Sequence, residues 1–336
     1  MTQRNPKSSS LADVAAPEDG RALVFLAGPT AAGKSALALA LAEEIGGEII
    51  SVDSMQVYRG LDLGTAKPSS AERARVRHHL IDICELTEPF DAAKFVRRAH
   101  AAVAEIQARK KIPIFCGGTG LYFQAYLEGL GEAPPADEKL RAKLEATPLA
   151  SLLAELRARD PATFEKIDHQ NPRRVIRAVE VIRLTGQPFS QQRASWDHAS
   201  RRTPHAARLF CLTRPPDDLR RRINARVDEM FARGLVPETR KLLPLGLAEN
   251  KTARQAIGYR QVVEHLRGER GLAETIELVK IKTRQFAKRQ LTWFRRHGNC
   301  AWLELPPGET AAETLAKLTT PAARPADPDV PRKQIF

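Results

Sequence analysis

The chain has 336 residues, with 53 Lys and Arg against 40 Asp and Glu, a net charge of +13; this length suffices for two domains, or for one large α/β unit carrying an insertion. Hydrophobic residues make up 43% and aromatic residues 6%, which suits a helix-rich globular protein and excludes collagen-like, mucin-like and prion-like classes. Positions 201–300 hold 23 basic and 10 acidic residues, the whole of the excess, so the positive field belongs to one part of the chain and should draw a polyanion there, nucleic acid ahead of an anionic membrane surface.

Residues 1–20 are polar, with no apolar segment of the signal-peptide kind, and are expected to form a flexible tail. A strand over Ala22–Ala27, a turn, a helix over Lys34–Ile45 and a strand over Glu48–Val52 follow, then a helix over Asp91–Ala108 and a strand over Ile112–Cys116. Strands alternating with helices imply a parallel sheet with crossover helices. Across 131–205 the strand pattern gives way to short Pro-punctuated helices, read as an all-helical insertion. The core, 21–130, resumes over 206–305 with a strand at Leu209–Leu212, helices from Pro216 to His297 and a short strand at Cys300–Leu303. Residues 306–336, rich in Pro and Ala, are expected to form a second tail. No apolar run approaches the ~20 residues of a membrane span. Cys84, Cys116, Cys211 and Cys300 are too widely spaced for a zinc site, so a cytoplasmic protein with reduced thiols and no membrane is expected, and a monomer, since no apolar stripe is left over.

Residues 28–35 read Gly28-Pro29-Thr30-Ala31-Ala32-Gly33-Lys34-Ser35, the GxxxxGK[ST] pattern, between a strand and a helix as its mechanism requires. Glycines let backbone N–H groups converge on phosphate oxygens at a helix N-terminus, Lys34 neutralises charge, and Ser35 can ligate Mg²⁺. The fold class expected is therefore α/β, a P-loop NTPase-like parallel sheet flanked by helices, with the helical insertion. A phosphoryl-transfer enzyme would add a carboxylate at the end of a second apolar strand. Leu80-Ile81-Asp82 is a poor candidate, and Ile112–Cys116 ends in Gly117-Gly118-Thr119-Gly120 without one; that turn reads either as a plain tight turn or as a second place for an anion. Strand Glu48–Val52 delivers Asp53-Ser54-Met55-Gln56 to the same sheet edge, where Asp53 can ligate metal, accept a proton, or merely cap a helix.

Together GPTAAGKSALA, SVDSMQVYRGLDLGTAKP, HHLID, GGTGLY, AIGYRQ and TRQFAKRQLTWFR resemble the bacterial tRNA dimethylallyltransferases, or tRNA isopentenyltransferases, over most of residues 22–304. The resemblance implies transfer of a dimethylallyl group from dimethylallyl diphosphate to the exocyclic N6 amine of the adenosine 3′ of the anticodon in tRNA, with Mg²⁺, releasing pyrophosphate. It makes Asp53 the general base, has Thr119, Lys34, Ser35 and the Gly33 backbone hold the diphosphate, and matches Arg222 and Arg226, one helical turn apart, to a diphosphate-binding arginine motif. The amine is inaccessible in a stacked anticodon loop, so the base must be extruded. Asp53, Ser54, Met55 and Gln56 would surround it, and the resemblance has Arg141; Arg173, Arg174 and Arg177; and Gln255, Gly258, Tyr259 and Arg260 grip the anticodon stem-loop.

Read as a helix at ~100° per residue, 277–296 puts Lys280, Arg284 and Lys288 on one face, with Val279, Phe286 and Trp293 opposite. The first face is expected to meet phosphates and the second to pack. Two other classes stay open on these residues, an ATP-dependent small-molecule kinase and a nucleotide-regulated RNA-binding protein.

Overall fold

The structure, a computed structural model, describes residues 23–131, 133–192, 208–297 and 300–319. In chain order the elements are β1 (Val24–Ala27), α1 (Lys34–Ile45), β2 (Gly47–Val52), α2 (Ser70–Arg75), β3 (His78–His79), α3 (Ala92–Ala108), β4 (Ile112–Gly117) and α4 (Gly120–Glu128). Then come α5 (Glu138–Glu145), α6 (Leu149–Arg159), α7 (Pro161–Lys166), α8 (Pro172–Thr185) and α9 (Phe189–Gln192). The chain closes with β5 (Arg208–Thr213), α10 (Pro216–Ala232), α11 (Leu235–Leu242), α12 (Tyr259–Leu266), α13 (Leu272–His297), β6 (Ala301–Glu304) and α14 (Ala311–Thr319). The described residues form two compact units, one from those up to 124 and from 208 onward, the other from those between 125 and 192.

The first unit is built on a six-stranded sheet of order β3-β2-β4-β1-β5-β6 in which every pairing is parallel. Its central strands read as continuous apolar runs because both faces are covered: all four residues of β1 are buried. On one face Leu37, Leu41 and Ala42 of α1 pack with Val24, Leu26, Ile49 and Ile114. On the other Phe25 stacks on Phe115 at 4.7 Å, and Phe123 meets both Phe25 and Phe294 edge-on at 6.4 and 6.0 Å. β1 lies between β4 and β5, so the chain leaves it in opposite directions, and ligand crevices in open α/β sheets form outside the carboxyl ends of strands at such a switch point.

The second unit has its own core, with Leu144, Leu152 and Leu156 packed on Val175, Val179 and Ile182. Asp137, Asp160 and Asn171 accept backbone N–H groups at the starts of α5, α7 and α8, which accounts for three helix beginnings within a short stretch.

Two features depart from the sequence expectation. β3 is too short to show as a strand pattern. The stretch after 306 is not all tail: Thr310 and Glu313 form reciprocal cap bonds that start α14, Thr314 is buried, and Leu315 packs on the α1 side of the core. The rest of both expected tails, residues 1–20 and 320–336, and the 193–205 end of the expected insertion lie outside the described residues.

Candidate active site

Three loops meet at the carboxyl edge of the sheet, leaving β1, β2 and β4. In the first, Gly28 (φ +137°) packs so closely on β5 that a Cβ would sit 2.5 Å from the Leu212 carbonyl oxygen, and Gly33 (φ +106°) turns the chain into α1. Among the described residues no side-chain cap bond closes the start of α1 at Gly33, which leaves its first N–H groups open to an anion. Lys34 Nζ donates to the Pro29 carbonyl at 2.6 Å, folding the ammonium back over the loop. Its pKa is lowered to about 8, first by desolvation and then by Arg226, against opposing contributions from the Cys116 and Cys211 thiols and Asp53.

In the second loop Asp53 Oδ1 accepts the backbone N–H groups of Met55 at 2.8 Å and Gln56 at 3.2 Å. This ties down one oxygen; the other takes no protein hydrogen bond among the described residues. In the third, Thr119 N donates to the Val52 carbonyl at 3.2 Å and Thr119 Oγ1 accepts the Ser54 N–H at 3.3 Å, joining the β4 turn to the Asp53 turn. Over these loops lies α10. Arg222 Nε donates to the Ala31 carbonyl at 2.9 Å, and Arg226, its pKa lowered by burial, feels Asp53 as its strongest attractive charge. Lys34, Ser35, Arg222, Arg226 and Met230 line a cavity of about 870 Å³. Lys34, Arg222 and Arg226 thus meet a helix N-terminus at this cavity, with the Asp53 carboxylate and the Thr119 hydroxyl on the adjoining loops, a set able to hold a condensed phosphate and take up a proton beside it.

Among the described residues no group of three or more His, Cys, Asp or Glu could hold a metal by itself. The exposed Ser35 and the Asp53 carboxylate are nonetheless oxygen donors of the kind Mg²⁺ takes when substrate phosphates supply the remaining ligands.

Several predicted tRNA contacts are placed otherwise. Gln56 uses its amide internally: Oε1 accepts from Ser51 Oγ at 2.8 Å, and Nε2 donates to the Thr65 and Ala66 carbonyls at 3.1 and 3.3 Å. Tyr259 is fully buried, accepts the Gly64 N–H at 3.1 Å and donates to Glu238 at 2.5 Å; Gly258 beside it is buried too. These two brace the loop after Asp53 from within the protein. Arg141 and Arg177 both pair with the wholly buried Glu180, at 2.6 and 2.7 Å, and Arg177 also donates to the Pro134 carbonyl. An unpaired carboxylate there would be costly, so both arginines serve to neutralise Glu180. Arg174, Gln255 and Arg260 are exposed, as is Arg173, while Arg260 also pairs with Glu264.

The reading of α13 needs rotation. Lys280 is neutralised by Asp228 and Glu277, both at 2.8 Å, which raises its pKa, and Arg284 donates to Asn224 of α10 at 2.7 Å. Phe286, expected in the core, is 36% exposed, with the Arg289 guanidinium 5.8 Å from its ring centre. The buried stripe runs Thr275, Val279, Ala287, Gln290, Phe294, and the open face carries Lys282, Lys288 and Arg289. Trp293 is half-buried, edge-on to Phe294 at 5.1 Å.

Sequence reasoning passed over Lys67 and Gln290. Lys67 Nζ, almost wholly enclosed, donates to the Tyr58 carbonyl at 2.6 Å and to Asp62 at 2.8 Å, and pairs with Asp82, which also holds Arg73 at 2.7 Å. Asp82 is therefore occupied, and cannot serve as a kinase's second-strand carboxylate without breaking two ion pairs.

A family model described as IPP transferase matches residues 56–297. The chain is 48% identical to tRNA dimethylallyltransferase 1 of Trichlorobacter lovleyi over 88% of its own length and 97% of that protein's, and 46% identical to the tRNA dimethylallyltransferase of Geobacter metallireducens over 86% and 94%. Among solved structures it is similar to the full-length tRNA isopentenylpyrophosphate transferase of Bacillus halodurans, with TM-score 0.64, 39% identity and coverage of 88% of this chain and 94% of that one. A eukaryotic dimethylallyltransferase captured acting on tRNA superposes with TM-score 0.69 at 28% identity, covering 84% of this chain and 73% of that one.

Proposed function

The chain belongs to the IPP transferase family, and from that premise we propose that it is a tRNA dimethylallyltransferase acting on the adenosine 3′ of the anticodon, with dimethylallyl diphosphate as donor. The adenosine N6 attacks C1 of the dimethylallyl group, the C1–O bond to the diphosphate breaks, Asp53 takes the amine proton, and pyrophosphate leaves. The observation that carries this reading is the meeting of the phosphate loop under Arg222, the Asp53 turn and the Thr119 turn at one sheet edge. Charge develops on the departing diphosphate, where Lys34, Arg226, Thr119 and the open α1 N-terminus stabilise it. Mg²⁺, held by Ser35 together with the diphosphate oxygens, would neutralise further leaving-group charge.

The RNA contacts that fit the exposed surface are Arg173, Arg174, Gln255, Arg260 and Lys288, which position the phosphate backbone. The test is incubation with labelled dimethylallyl diphosphate and unmodified tRNA. Label on the adenosine next to the anticodon is expected; ATP-dependent phosphorylation of a small molecule without prenyl transfer would replace this reading with a kinase.

A further inference from the structure

Gln290 sits on the buried stripe of α13, far along the chain from both loops that it touches. Its Oε1 accepts the Thr30 N–H of the phosphate loop at 2.9 Å, while its Nε2 donates to the Gly118 carbonyl of the β4 turn at 3.0 Å. The residue is 7% exposed, so both bonds are largely shielded from water. A Cβ on Gly118 would lie 2.1 Å from Nε2, so glycine is what admits the amide there.

What the two bonds join matters. Thr30 precedes Ala31, whose carbonyl receives Arg222, and Gly118 precedes Thr119, whose hydroxyl receives the Ser54 N–H next to Asp53. One amide therefore ties the cradle side of the site to the base side. We propose that Gln290 is a positioning residue, its carboxamide setting the separation between the phosphate loop and the Thr119 turn. The inference rests on the transfer reaction proposed above. The role requires a donor and an acceptor on neighbouring atoms: leucine has neither, and an ionised glutamate would aim an oxygen at the Gly118 carbonyl.

The experiment compares Gln290→Leu and Gln290→Glu with the wild type in steady-state transfer, varying each substrate at saturating levels of the other, with a thermal midpoint for each protein. Both variants are expected to show a roughly 10-fold rise in KM for dimethylallyl diphosphate and a comparable fall in kcat, with KM for tRNA within about threefold. Calorimetric titration with inorganic pyrophosphate should show the same loss of affinity. Gln290→Glu is nearly isosteric and guards against misfolding of the leucine variant. Wild-type kinetics in either variant, or equal rises in both KM values, would overturn the proposal. If the wild type transferred no prenyl group, the functional reading would fall instead, and pyrophosphate affinity alone would still judge Gln290.

Discussion

In the proposed reaction Asp53 has two jobs that substitution can separate. Oδ1 caps its own turn by accepting the Met55 and Gln56 N–H groups, and the second oxygen is left to take a proton. Asparagine keeps a carbonyl oxygen for the cap but has no basic carboxylate, whereas alanine loses both. Asp53→Asn should therefore fold normally and lower kcat by ~10²–10⁴, the usual cost of removing a general base, or about 2.7–5.4 kcal/mol of barrier. Asp53→Ala should match that loss and in addition give up two hydrogen bonds worth about 1 kcal/mol each, a fall of a few degrees in thermal midpoint. Affinity for tRNA should stay within a few-fold in both. Single-turnover transfer at saturating substrates, with calorimetry on the same preparations, reads both quantities. Near-wild-type turnover in Asp53→Asn would refute the assignment of the proton acceptor.

In the proposed reaction Lys34 can hold the diphosphate only while protonated; with its pKa lowered to about 8, affinity for dimethylallyl diphosphate should hold below pH 8 and weaken towards tenfold per pH unit above it, whereas a flat profile from pH 7 to 9.5 would exclude the lysine as an obligatory cation. Arg141→Ala removes one of the two arginines on buried Glu180 and should destabilise the helical unit by about 1–3 kcal/mol, while Arg174→Ala leaves the melting curve unchanged and weakens tRNA binding; differential scanning calorimetry paired with filter binding decides between them. On α13, replacing Lys282, Lys288 and Arg289 together with alanine should flatten the salt dependence of tRNA binding by ~0.7 in log–log slope per lost phosphate contact, and Lys280→Ala, already neutralised, should not; the reverse pattern would restore the face expected from periodicity.

The phosphate loop, the Asp53 turn and the Gly117–Gly120 turn were legible because each is a local pattern, set by residues adjacent in the chain at the ends of strongly apolar strands. The α14 start had a local signal, Thr310 and Glu313 at capping-box spacing, but the surrounding Pro and Ala made the stretch read as a tail. The cations of the helical unit and of α13 were not legible. An arginine on a helix has the same periodicity whether it meets an RNA phosphate or a carboxylate distant in sequence, and the partners of Arg141 and Lys280, namely Glu180 and Asp228, are brought in only by tertiary structure. Gln290 escaped for the same reason: a polar residue on an apolar stripe looks like an imperfection until both loops it bonds are in place. Phe286 shows the converse, an aromatic side chain assigned to the core by type alone.

Arg214 extends this dependence to the end of the chain. It donates to the Ala32 carbonyl at 2.8 Å and to the Pro306 and Glu309 carbonyls at 3.1 and 3.4 Å, so the phosphate loop is secured by the segment leading into α14. During synthesis the loop leaves the ribosome long before it can be completed, because Gly118, Arg214, Arg222, Gln290 and Pro306 must all arrive before its shape is held. Contacts of such sequence separation make for slow closure. A nascent or truncated chain ending before residue 306 would carry the whole glycine-lysine motif and still lack a finished anion cradle.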